Sequence, residues 1–177
     1  MQLLLLAPLF PPDTGDPAEY TKELCLRLQG HIVTALIYGH LPEAVLGAQI
    51  VAVDKRQWLP KRLFSYTLAL YKHVRTADVV IVNNAPSTEL PLLLVSLFLP
   101  VKIILCESDM LAQKSAAKGF YHFLHTILVR RCIKIITLPD ERVYKRAEFL
   151  PFSENDLKQA TERETWWRTH VSELITI

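Results

Sequence analysis

Two carboxylates, Glu107 and Asp109, flank a hydroxyl, Ser108, where the apolar run "KIILC" gives way to "ESDM". Carboxyl groups this close together can orient a substrate hydroxyl or take its proton as a general base. They also suit plain helix capping and solvation. Other apolar runs end the same way. "NNAPSTE" carries Asn83, Asn84, Ser87 and Thr88; "ESDMLAQK" adds Lys114; "PDER" carries Asp140, Glu141 and Arg142. Ser87 or Thr88 reads first as a helix cap, and Asp140 and Glu141 suit the first turn of a helix by dipole alone. Glu107 and Asp109 are the catalytic candidates, and Gly15, Asp16, Asn83, Asn84, Ser87 and Ser108 the candidates for holding a substrate.

Gly15 and Asp16 lie in "PLFPPDTGDP". This loop has neither a GxGxxG dinucleotide fingerprint nor a Walker GKS or GKT. What remains is one glycine free to take positive φ, beside a helix N-terminus whose unbonded N–H groups favour an anion or a sugar hydroxyl. A second stretch, "DKRQWLPKRLF", sets Lys55, Arg56, Lys61 and Arg62 around Trp58 and Leu59. Such a mixture suits peripheral contact with an anionic membrane surface. The plainer alternative is a solvated loop and helix start with Trp58 packed inward. Trp166 and Trp167 suggest sugar stacking, but at helical spacing at least one of them is expected to anchor a core.

These residues need elements to position them. Short apolar runs at 2–7, 32–38, 49–54, 78–83, 102–107 and 133–138 read as strands, most of them near-continuously apolar, as in a parallel sheet covered on both faces. Between them, helices are predicted over 17–29, 61–75, 88–99 and 112–131. The first has Pro17 in its opening turn and Gly30 past its end. The second places Leu63, Phe64, Thr67, Leu68, Tyr71 and Val74 on one face, and the fourth carries Ala116, Phe120, Phe123, Leu124, Ile127 and Leu128 at helical spacing. Residues 41–47 are irregular and fit a turn or a short helix. A long helix follows Ser153, with Leu157, Ala160, Trp167, Val171 and Leu174 on one stripe. The alternation predicts an α/β fold: a Rossmann-like parallel sheet of about six strands, helices on both faces and a long C-terminal helix. In such sheets ligands bind beyond the carboxyl ends of the strands, where all the loops above converge.

The chain has 177 residues, half of them hydrophobic and 21% charged, with a net charge of +2. That is a globular composition and gives no reason to expect nucleic acid as a partner. Cys25, Cys106 and Cys132 have no CxxC spacing and read as buried free thiols of a reducing compartment, with no metal site. "MQLLLLAPLF" reads as a buried first strand rather than a signal peptide, and "LPLLLVSLFLPVKIILC", divided by Pro100 and Lys102, as a buried helix then a strand rather than a membrane span. The expected location is cytoplasmic, with peripheral membrane contact through the basic stretch as an option.

"APLFPPDTGDPAEYTKELCLRLQGHIVTALIYG" resembles the opening of GT-B glycosyltransferases of the family 4 type, with Gly15, Leu24, Leu28, His31 and Val33 in matching places. "ADVVIVNNAPSTELPLLL", "VKIILCESDM" and "IKIITLPDERVYK" are similar to that family's fourth, fifth and sixth strands. The resemblance spans residues 1–150 and implies an N-terminal, acceptor-binding domain, with 151–177 as a helix packing back on it. In the family a second Rossmann-like half binds the nucleotide sugar and carries an E-x7-E pair; 151–177 is too short for such a half. The resemblance therefore implies a sugar acceptor and a donor-domain subunit as partner; the basic, aromatic stretch points to a lipid-linked acceptor, and apolar surface on 88–99 and the final helix to a second copy of the chain as the other partner. No cofactor is implied. The family's Gly-Gly loop has Asp16 at its second position here, where a carboxylate repels phosphate, and the histidine common just past strand five is replaced by Glu107–Ser108–Asp109. A different reading follows from those departures: a non-catalytic binding or assembly module that keeps the fold alone.

Overall fold

The computed structural model describes residues 1–107, 119–138 and 154–176. Two compact units divide at Thr137 and Leu138. The expected domain boundary at 150 falls outside the described residues.

The first unit is built on strands β1 (Gln2–Ala7), β2 (Ile32–Tyr38), β3 (Ala48–Val53), β4 (Val79–Asn83), β5 (Ile103–Glu107) and β6 (Cys132–Thr137). They form one sheet in the order β3-β2-β1-β4-β5-β6 with every pair parallel. Each lies within a residue of its predicted place. This is the expected Rossmann-like α/β sheet, and its connections reverse direction between β1 and β4, the point where such sheets open a crevice. The 39–47 connection holds no helix; Glu43 N–H bonds to the Pro11 carbonyl at 2.9 Å, tying it to the loop after β1.

Helices cover both faces. α1 (Asp16–Arg27) lies on one face, where Tyr20 Oη reaches Cys106 Sγ at 3.5 Å and Thr21 meets Asn83. α2 (Leu59–Val74), α3 (Pro86–Ser96) and α4 (Gly119–Val129) lie on the other, with α3 between its neighbours. There Tyr66, Leu70, Val74, Leu92, Val95 and Leu128 close over Leu4, Leu6, Leu36, Val80, Val82 and Leu105. Tyr66 is the anchor: its ring stacks on Tyr38 at 4.3 Å and its hydroxyl donates to the Leu36 carbonyl at 3.2 Å.

Of the face predicted for α2 only Val74 is buried, alongside Tyr66 and Leu70, and Leu63 and Thr67 are half-buried. Phe64, Leu68 and Tyr71 are exposed. The helix carries apolar residues on two opposite sides, and the side bearing Tyr66 wins because its hydroxyl finds a buried partner as its ring fills the core. Trp58 does not pack inward either; it is 77% exposed at the start of α2. α3 is buried toward the sheet but shows Leu94 outward, with Leu97 and Phe98 exposed in the turn after it, and α4 buries Leu124 and Leu128 while Phe120 and Phe123 stay exposed.

Cys25 and Cys106 are buried and Cys132 half-buried, all three free, and burial pushes each thiol up to about 12. Among the described residues no helix is long and apolar enough to cross a membrane. In the second unit α5 spans Glu154–Ile175, Trp167 is buried, and Trp166 stacks on His170 at 4.6 Å.

Candidate functional site

The carboxyl edge of the sheet is built from the loop after β1, the turn from β4 into α3, and the end of β5. The first of these is held firmly. Phe10 is buried, Asp13 N–H bonds to the Phe10 carbonyl at 3.0 Å, and Lys55 pairs with the Asp13 carboxylate. Gly15 then caps α1 with φ 135°, and its carbonyl accepts Ala18 N–H at 3.0 Å. A Cβ at this position would lie 3.3 Å from Leu9 Cδ1, and few L-residues adopt that φ. Gly15→Ala is therefore expected to cost about 2 kcal/mol of stability, read as a lower urea midpoint with an unchanged slope. Asp16 opens α1. The loop's glycine thus serves the backbone, which has to turn sharply into the helix.

The two asparagines after β4 face inward. Asn83 and Asn84 are buried, and Asn83 Nδ2, at the end of β4, donates to Thr21 Oγ1 on α1 at 2.7 Å. Neither presents a free amide to a ligand. Ser87 is half-buried in the first turn of α3, where its carbonyl accepts the Tyr38 hydroxyl at 3.0 Å. Neither Ser87 nor Thr88 takes the cap role expected of them: Ala85 stands at the N-cap with no side-chain cap bond, and Thr88 Oγ1, inside the first turn, donates to the carbonyls of Asn83 and Ala85 at 2.9 and 3.0 Å. Ser108, Asp109, Lys114, Asp140, Glu141 and Arg142 lie outside the described residues.

Glu107 is where expected, and it is not isolated. His125, reaching over from α4, stands between it and a second carboxylate, Glu89, in the first turn of α3. His125 Nδ1 lies 3.0 Å from Glu89 Oε2, and Nε2 lies 3.8 Å from Glu107 Oε1. Tyr121, one turn before His125, donates its hydroxyl to Glu89 Oε1 at 2.7 Å, and Thr137 on β6 donates to Glu107 Oε2 at 2.8 Å. Side-chain exposure rises along the row, from 1% for Glu89 through 16% for His125 to 22% for Glu107. One end is sealed in the core and the other meets solvent at the end of β5.

Burial raises the Glu89 carboxyl above its ordinary value of 4.5, against the lowering effect of the Tyr121 hydroxyl and of His125. A buried carboxylate bonded to one ring nitrogen fixes an imidazole's orientation and leaves its other nitrogen to exchange a proton with a group outside. The row can therefore hold a proton at Glu89 or at either nitrogen of His125, and Glu107 can orient a hydroxyl beside it. Among the described residues no group of three or more ligand-type side chains is placed to hold a metal ion.

Glu89, Tyr121 and His125 do not stand out in the sequence, where Glu89 looks like a dipole-matched residue of a first turn. The one available signal is the four-residue spacing of Tyr121 and His125, which puts both on one side of a helix. No protein-family model matches the chain, and no curated protein matches its sequence.

Proposed function

We propose that the chain is the acceptor-binding half of a GT-B-type glycosyltransferase, taking a free or lipid-linked saccharide and completed by a donor half. The observation that carries this reading is the histidine held between two carboxylates at the carboxyl end of β5. It supplies the histidine that the residues after β5 lack by sequence. An acceptor hydroxyl beside Glu107 gives its proton to His125 Nε2 as its oxygen attacks the anomeric carbon of the donor sugar; the bond to the nucleoside diphosphate breaks, and the diphosphate leaves on the donor half. The strand order, whose connections reverse direction between β1 and β4, supports the same reading.

The inward-facing Asn83 and Asn84 favour a second reading, a binding module without chemistry, because they remove two polar groups from the cleft edge. Saturation-transfer NMR of the purified chain against a panel of hexoses and short glycans separates the two. The proposal expects a saccharide signal that Glu107→Gln and His125→Ala each weaken severalfold. A saccharide signal indifferent to both substitutions supports the binding module. Tight binding of a flavin or dinucleotide with no saccharide signal overturns both readings.

A further inference from the structure

The helical layer opposite α1 has an outer surface of unusual chemistry. Between residues 55 and 77 the chain has six lysines and arginines and no aspartate or glutamate. On the outward side of α2, Phe64, Leu68 and Tyr71 are exposed, and Phe64, Leu68 and Tyr71 line a shallow open groove with Lys72 and Arg75. The Arg75 guanidinium sits over the Tyr71 ring, 5.7 Å from its centre. Leu94 on α3, and Leu97 and Phe98 in the turn just past its end, are exposed and carry no charge. The only acidic side chain in the described parts of these three helices is Glu89, which is 1% exposed.

The loop before α2 contributes less charge than its sequence suggests. Lys55 is paired with Asp13, and Arg56 with Asp54 at 3.1 Å. Arg62 leans over the Tyr38 ring and donates to the Lys55 carbonyl at 3.0 Å. Lys61 and Lys72, both exposed, stand on α2 itself, at either end of its apolar stripe.

We propose that the outer face of α2 and α3 docks peripherally on an anionic lipid bilayer, both helices lying in the plane of the interface. The apolar side chains enter the boundary between headgroups and acyl chains, while Lys61, Lys72 and Arg75 reach lipid phosphates, their stems covering apolar surface. The charge pattern selects this occupant. A self-complementary contact between two copies would bring like-charged rims together, with no acid among the described residues of either face to offset them. An anionic bilayer meets the apolar centre and the cationic rim at once. This inference does not depend on the saccharide reading.

The full chain is mixed with phosphatidylcholine vesicles with and without phosphatidylglycerol, and binding is read by flotation. Binding is expected on the anionic vesicles alone and weakens as salt rises. Lys61→Glu with Lys72→Glu is expected to weaken it by roughly 30-fold or more, from about fivefold per cation near the surface. Leu68→Asp with Phe98→Asp is expected to abolish it; both positions are exposed, so an unchanged circular dichroism spectrum and melting temperature verify the fold. Absence of binding to anionic vesicles, or equal binding to neutral ones, overturns the proposal. So does a dimer in size-exclusion chromatography that Leu68→Asp with Phe98→Asp dissociates while vesicles are ignored.

Discussion

Tyr66→Ala is expected to lower folding stability by about 4 kcal/mol, whereas Phe64→Ala, two residues away on the same helix, should change it by less than about 0.5 kcal/mol. Tyr66 is fully buried, stacked on Tyr38 and bonded to the Leu36 carbonyl; its removal opens a cavity beside the sheet and takes that hydrogen bond with it. Tyr66→Phe keeps the ring and loses only the hydrogen bond, so a loss near 1 kcal/mol is expected. Phe64 is 70% exposed and has little burial to lose. Urea denaturation of the three variants checks the ranking. A Phe64→Ala loss as large as that of Tyr66→Ala would mean that the opposite side of α2 faces the core.

His125→Ala is expected to cost about 3 kcal/mol, because it removes a partner from the fully buried Glu89 carboxylate. In a background already carrying Glu89→Gln the same substitution should cost much less, since no buried charge is left unpaired; additive losses would show that the two side chains are not coupled. Glu89 also sets a pH dependence. Its carboxyl is raised above 4.5 by burial, so as pH climbs from 4.5 the folded chain holds more of this proton than the unfolded chain does. Stability from this group then falls as pH rises toward the folded value. Glu89→Gln should remove that part of the slope, measured as unfolding free energy across a pH series. The two substitutions separate structure from chemistry. Glu107 is more exposed and lies outside the buried pair, so Glu107→Gln should leave stability nearly unchanged and still weaken saccharide contact.

The strands were legible because each is a short apolar run with a polar residue at its carboxyl end, and a parallel sheet covered on both sides imposes that pattern. Gly15 was legible as a turn residue for the same local reason. Which side of α2 is buried was not, because both of its sides are apolar and periodicity cannot choose between them; the choice rests on Tyr66 finding Leu36 on a strand far away in sequence. The row at the end of β5 was half legible. Glu107 sits where a strand ends, a position that topology marks. Glu89 and His125 become partners only when α3 and α4 pack side by side, and no spacing along the chain records that contact.

β1 lies at the centre of the sheet, between β2 and β4. During synthesis β2 follows within one helix, and Leu3–Ala7 can pair on that side early. The other side must wait for Val79–Asn83 to leave the ribosome, because Leu3 pairs with Val79 and Leu6 with Val82. Until then the run "LLLLA" presents an open, apolar strand edge to solvent or to a neighbouring nascent chain. Such an edge is a natural substrate for chaperone binding and a point of entry for aggregation. Slower translation of β3 and α2 would lengthen that exposure, and a codon-slowed transcript should yield more insoluble chain of identical sequence.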